Sequence, residues 1–160
     1  MNSLHISLAA GMLGASVVGL SACTDGAPGA MSASVAGVTT IDVSLTAFAA
    51  TSLAPGTSAG YAPAQLSVPV GTQIRFVNQD SFAHTASAVA GTTFPASSPL
   101  TAQALTPSAS GTSIASGTWS SGNLAAGASS PVFVADRPGT YLFGCFYHYG
   151  APMRAAILVH

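Results

Sequence analysis

The strongest constraint on the fold is a series of short strand-like stretches, some with alternating apolar and polar residues, bounded by glycine, proline or small polar residues. Alternation at period two is typical of a strand with one buried and one exposed face. After residue 39, no segment combines a helical period with capping residues. The pattern therefore predicts an all-β domain, a β-sandwich or barrel. The predicted strands are 41–46, 65–70, 73–78, 131–134, 140–143 and 155–159.

Two places along the chain qualify this prediction. Pro69 cannot donate a ladder hydrogen bond, so it predicts a sheet edge or the end of a strand. The stretch 95–117 is rich in Ser, Thr, Ala and Pro and is long for a connection within a compact domain. It is expected to be either an excursion with a short strand or helix of its own, or a mobile loop.

The beginning of the chain is predicted to be a targeting segment. Residues 6–20 are apolar but fall short of the roughly 20 residues of a membrane-spanning helix. They lead into Leu-Ser-Ala-Cys23, which resembles the lipobox of bacterial lipoproteins, although residues 1–5 lack the usual Lys or Arg. We expect a signal peptide over 1–22, acylation of Cys23, a flexible tether over 23–39 and a folded domain over 40–160. A plain secretory signal is the alternative.

Charge excludes one class of partner. Charged residues make up 4% of the 160 residues and the net charge is −1, which leaves no basic patch for nucleic acid. Long-range electrostatic steering of a charged partner should be weak for the same reason.

One segment near the end carries a set of metal-binding side chains. Cys145, His148 and Met153 follow one another with the spacing Cys-x2-His-x4-Met. A thiolate, imidazoles and a weak thioether contact form a ligand set that suits copper in electron-transfer sites. A second imidazole is required, and His84 is the obvious source. The competing interpretation of the thiol is a Cys23–Cys145 disulfide, since an exported protein with two cysteines commonly forms one.

Three segments around these residues carry a specific resemblance. Residues 66–80 run through a strand, a turn and a strand to an asparagine before the first histidine, residues 121–127 read Ser-Gly-Asn-Leu-Ala-Ala-Gly, and residues 137–145 contain Pro-Gly-Thr-Tyr before the cysteine. In all three the chain resembles the cupredoxins of the plastocyanin type. The resemblance covers most of 64–160 and implies a Greek-key β-sandwich or barrel that holds one type 1 copper. The implied ligands are His84, Cys145, His148 and Met153.

The resemblance also implies roles around the metal. Asn78 and Thr85 are expected in the shell of residues that support the ligands, with Thr85 supplying hydrogen-bond donors. The edge of His148 is expected to emerge in an apolar patch that serves as electron port and docking surface, together with Tyr147 and Tyr149.

The function that follows is transfer of single electrons between redox proteins by a monomer, with copper alternating between Cu(I) and Cu(II). Cytochromes or a terminal oxidase are the expected partners, and the lipid anchor would hold the carrier at a membrane, periplasmic or at the cell surface. An enzyme is not expected, because copper oxidases and nitrite reductases need further histidines and only His160 follows His148. The alternative is a copper chaperone or storage module that delivers copper to a membrane oxidase, although Cys145 argues against it.

Overall fold

A computed structural model describes residues 37–160 of this chain, so the predicted signal peptide 1–22, Cys23 and most of the predicted tether lie outside the described residues. The described part contains eleven short strands and two short 3-10 helices, at Ala102–Leu105 and Ile114–Ser116. The strands are β1 (Thr39–Val43), β2 (Thr51–Leu53), β3 (Gly56–Ser58), β4 (Tyr61–Ala62), β5 (Gln65–Val68), β6 (Thr72–Asn78), β7 (Ser87–Val89), β8 (Thr112–Ser113), β9 (Phe133–Ala135), β10 (Gly139–Gly144) and β11 (Arg154–Val159).

Two sheets form the β-sandwich that the sequence predicted. The first has the strand order β4-β1-β6-β9-β8 and the second the order β5-β11-β10-β7, while β2 and β3 form a separate hairpin. Pairing is mixed, because β1 runs parallel to β6 and β5 parallel to β11, whereas β10 is antiparallel to both of its neighbours. Strands far apart in sequence therefore become neighbours, as a Greek-key sandwich requires.

The core consists of side chains from the inner faces of both sheets. In β6 the inward positions are occupied in turn by Ile74, Phe76 and Asn78, and all three are fully buried. Phe76 packs edge-on against Phe143 of β10, with ring centroids 5.2 Å apart, and stacks on Trp119 at 5.7 Å. Each such side chain contributes about 1.5–3 kcal/mol by leaving water. The alternation that places Phe76 in the core also places Asn78 inward at the end of the strand.

The first strand ends three residues earlier than the sequence predicted. The first predicted strand was expected to continue through residue 46, but β1 ends at Val43 and residues 45–47 form a turn. The chain leaves the sheet because Ser44 and Thr46 donate their hydroxyl hydrogens to Asp80. At Pro69 both expectations hold, since β5 ends at Val68 and lies at a sheet edge.

The long segment 95–117 is an excursion with structure of its own. It contains both 3-10 helices, Ala102–Leu105 and Ile114–Ser116, and strand β8, which pairs parallel with β9. Trp119 fastens the excursion to the core, because its indole N–H donates to the carbonyl of Ile114 at 3.0 Å. Within residues 37–160, neither length nor apolar character qualifies any helix to cross a membrane.

Candidate metal centre

The loop between β10 and β11 carries three of the four predicted ligands. It starts at Cys145, directly after β10, and ends at Met153, directly before β11. The N–H of Cys145 donates to the carbonyl of Met153 at 2.9 Å, and the N–H groups of Ala151 and Met153 both donate to the carbonyl of His148. The loop is thus closed on itself by main-chain hydrogen bonds, and the antiparallel pair β10–β11 sets the positions of its two ends.

His84 reaches the same place from the other side of the fold. Its main chain exchanges two hydrogen bonds with Leu124, at 3.1 and 2.8 Å, so residues 121–127 serve as the partner segment of the first histidine. The amide of Asn78, at the inner end of β6, lies 2.8–3.1 Å from the carbonyl oxygens of Phe82, Leu124 and Ala125. Asn78 therefore ties the loop before His84 to its partner segment.

The three strongest predicted ligands converge. Cys145 Sγ lies 3.7 Å from Nδ1 of His84 and 3.6 Å from Nδ1 of His148, and the two Nδ1 atoms are 3.2 Å apart. The potential ligand atoms of these residues all lie within 4.8 Å of one another. Cys145 and His84 are fully buried and His148 is half-buried. A thiol with two imidazole nitrogens at this spacing is a donor set that suits copper.

Met153 completes the predicted set from the end of the loop. Its side chain is fully buried, and it packs against Gly60, where φ is +73°. A Cβ added at Gly60 would lie 2.6 Å from Met153 Cγ and 3.3 Å from its Sδ. The absence of a side chain at Gly60 therefore leaves the space that the thioether occupies.

Thr85 contacts both Cys145 and the residue that follows it. Its N–H donates to Cys145 Sγ at 3.4 Å, while its hydroxyl accepts from the N–H of Phe146 at 2.9 Å. The carbonyl of Thr85 accepts from the hydroxyl of Tyr61 at 2.5 Å. Burial, and after it the neighbouring Cys145, raise the pKa of Tyr61, so the hydroxyl keeps its proton and remains a donor.

Burial also shifts the pKa values of two predicted ligands. It raises the pKa of the Cys145 thiol, against the opposing effect of hydrogen bonds from Thr85 and the ligand loop. It lowers the pKa of His148, and the nearby His84 lowers it further. Neutral imidazole is the metal-binding form, so His148 is ready to bind, whereas the thiol must lose its proton when a metal arrives.

One supporting residue was missed by the sequence analysis. The Nε2 of His84 lies 2.8 Å from Oδ2 of Asp80, which is itself buried. Burial alone would raise the pKa of Asp80, but hydrogen bonds from Thr46, Ser44, His84 and Leu45 outweigh it and hold the pKa far below the usual value. The available signal was a carboxylate four residues before a predicted ligand, since metal-bound histidines commonly donate their second ring N–H to such a group.

Of the three residues predicted for the docking surface, two lie at the surface above the site and one is buried. Phe82, Ala83, Tyr147 and His148 line a shallow apolar recess. The side chain of Tyr147 is 44% exposed, whereas that of Tyr149 is only 2% exposed. The prediction for Tyr149 was wrong because its ring turns inward against Gly144, the last residue of β10. It packs with Val89, Leu142 and Ala156, and the guanidinium carbon of Arg154 lies 5.0 Å from its ring centroid.

Solved structures with a similar arrangement of the chain include a purple cupredoxin from Nitrosopumilus maritimus. It is 19% identical, with a TM-score of 0.49, and the match covers 76% of this chain and 99% of that one. A reduced amicyanin variant is 17% identical, with a TM-score of 0.46 and coverage of 78% and 83%. None of the curated proteins matches this sequence.

A family model also matches most of the chain. The model of copper binding proteins of the plastocyanin/azurin family matches residues 50–160, which include β2 to β11 and all four predicted ligands. The chain therefore belongs to the plastocyanin/azurin family of copper-binding proteins, and its cofactor is one type 1 copper.

Proposed function

We propose that this protein carries single electrons between redox partners and is not an enzyme. The observation that carries the proposal is the convergence of Cys145, His84 and His148 on one point, with their ligand atoms within 4.8 Å. Copper bound there supplies the one-electron step, as Cu(I) or Cu(II). The chain supplies the fixed surroundings that the step requires.

The surroundings are suited to a carrier because the ligands are held by main-chain structure. Cys145 is fixed by the end of β10 and by the N–H of Thr85, and His84 by its two bonds to Leu124. A site held in this way changes little when the charge of its metal changes, so little reorganisation accompanies electron transfer.

The exit for electrons is the edge of His148. The ring of Phe82 packs near both imidazoles, with centroids 4.8 Å from His84 and 5.5 Å from His148. The ring of Tyr147 lies beside that of His148, with centroids 6.1 Å apart. The hydroxyl of Tyr147 donates to Oδ1 of Asn123 at 3.0 Å, which holds the ring in place. We call Phe82, Ala83, Tyr147 and His148 the apolar patch. A small patch without charged residues suits brief contacts with a partner.

Cyclic voltammetry of the copper-loaded protein tests this proposal against delivery of copper. We expect one reversible one-electron wave that persists over many cycles in the presence of a Cu(I) chelator, with the copper retained. The matched control is Cys145→Ser, which should lose the wave. Loss of copper to the chelator after each reduction would contradict the carrier proposal and favour the chaperone or storage module.

We also propose export, with the carrier held at a membrane through acylated Cys23 and its partners being cytochromes or a terminal oxidase. The support comes from the lipobox-like sequence before Cys23 and from the redox nature of the cofactor. Mass spectrometry of the protein from host membranes should show acyl chains on Cys23. Cys23→Ser should shift the protein to the soluble fraction, and an unmodified Cys23 in membrane-bound protein would contradict the anchor.

A further inference from the structure

The carboxylate of Asp80 takes part in four hydrogen bonds, two at each oxygen. Its Oδ1 accepts from the hydroxyl of Ser44 at 2.7 Å and from the hydroxyl of Thr46. Its Oδ2 accepts from the N–H of Leu45 at 2.7 Å and from His84 Nε2 at 2.8 Å. Three of these donors lie in the turn that follows β1, 34–36 residues earlier in the chain.

The main chain of Asp80 is fixed as well. Its N–H donates to Oδ1 of Asn78 at 2.9 Å, and the side-chain amide of Asn78 holds the loop before His84. Neither the position nor the rotation of the carboxylate is free, because each oxygen has two donors in different directions. The Nε2 of His84 therefore lies against a carboxylate oxygen whose position is fixed.

A rigid acceptor determines which nitrogen of His84 carries the proton. A carboxylate without its proton can only accept, so Nε2 must be the protonated nitrogen. Nδ1 then presents its lone pair toward Cys145 and His148, 3.7 and 3.2 Å away. The ring cannot turn over without losing the bond to Asp80.

We propose that Asp80, clamped by the turn at residues 44–46, is a positioning residue for the copper. It keeps His84 in the Nε2-protonated form with Nδ1 toward the metal, and its negative charge favours Cu(II) over Cu(I). A carboxylate beside a metal-bound histidine strengthens the nitrogen as a donor. This inference rests on the proposed function, because a reduction potential has meaning only for a redox site.

Asp80→Asn removes the negative charge but can keep the hydrogen bonds. The asparagine oxygen can accept from His84 and Leu45, while its amide can donate to the hydroxyl oxygens of Ser44 and Thr46. The variant should thus keep the ring orientation and raise the reduction potential. Asp80→Ala removes both contributions and should weaken copper binding about 10–100-fold. The matched control is Asp42→Asn on β1, where the carboxylate accepts from Gln79 at the surface and the charge change is the same.

Three readouts are needed. Nitrogen NMR of the copper-free wild-type protein should show the proton of His84 on Nε2, a measurement that needs no variant to fold. Competition with a chelator gives the copper affinity, and voltammetry gives the potential. Asp42→Asn should leave all three close to wild type.

The inference is overturned if the His84 proton resides on Nδ1, or if Asp80→Asn and Asp80→Ala match Asp42→Asn in both affinity and potential. Failure of the proposed function would look different. In that case the wild-type protein itself would show no reversible wave, whatever residue stands at position 80.

Discussion

The N–H of Thr85 points at the sulfur of Cys145, with nitrogen and Sγ 3.4 Å apart, although 60 residues separate them in the chain. The hydroxyl of Thr85 accepts a hydrogen bond from the N–H of Phe146. Thr85 therefore holds both the ligand atom and the loop that presents it. A hydrogen bond to the sulfur also reduces the electron density that the thiolate gives to copper.

Replacing Thr85 by valine tests the hydrogen bond between its hydroxyl and the N–H of Phe146. The variant keeps the main-chain bond to Cys145 but leaves the N–H of Phe146 without its acceptor, and we expect the free energy of unfolding to fall by about 1–3 kcal/mol. Chemical denaturation of the copper-free protein measures the change. Thr140→Val, at an exposed position of β10, is the control and should change the stability by less than about 0.5 kcal/mol. Equal stability of the two variants would contradict the role of the Thr85 hydroxyl.

Gly60 should be intolerant of a side chain because Met153 occupies the space. Gly60→Ala introduces a methyl group 2.6 Å from Met153 Cγ, so the thioether must move. Gly117→Ala is matched in backbone strain, since φ is +70° there, but its methyl group would meet nothing within 4 Å. We expect Gly60→Ala to cost about 1–3 kcal/mol more than Gly117→Ala in denaturation experiments. It should also shift the visible spectrum of the copper-loaded protein. Identical spectra for the two variants would show that Met153 does not contact the copper.

Stability of the copper-free protein should depend on pH through Asp80. Hydrogen bonds keep the pKa of Asp80 below its ordinary value of 3.8, so in acid the unfolded chain takes up a proton that the native protein does not. The stabilisation by Asp80 is thus complete above that value and is lost as the pH falls below it. Denaturation of wild type and Asp80→Asn from pH 7 to pH 2 measures this, and the difference in unfolding free energy should shrink only below about pH 4. A difference that is constant over the whole range would contradict the shifted pKa.

Tyr147 is expected to contribute to partner docking but not to the copper site itself. Tyr147→Ala removes an exposed side chain of the apolar patch and should slow electron exchange between protein molecules, with the reduction potential nearly unchanged. Val70→Ala is the control, because Val70 is 47% exposed and precedes β6, at the end opposite Asn78. NMR line broadening in mixtures of the two redox states gives the exchange rate. Equal rates in both variants would exclude Tyr147 from the docking surface.

The fold and the ligands could be predicted because their signals are local. Alternation, or a short apolar run beside turn residues, located the six predicted strands, and the spacing of Cys145, His148 and Met153 placed these three residues in one loop. Five strands of two or three residues were missed, because so few residues show no period: β2, β3, β4, β7 and β8.

The contacts that position the ligands depend on distant segments and could not be predicted in the same way. Asp80 acquires its role only when the turn after β1 comes beside it, and that turn was predicted as strand. Tyr149 was assigned to the surface because the direction of a side chain in an irregular loop follows no period. Its burial depends on the bare backbone of Gly144.

The visible and EPR spectra of the Cu(II)-loaded protein, compared with Cys145→Ser, test the central claim most directly. The account predicts an intense thiolate-to-copper band and a narrow copper hyperfine splitting in the wild type, both absent from the variant. A pale, ordinary Cu(II) spectrum that is the same with and without the thiol would contradict it.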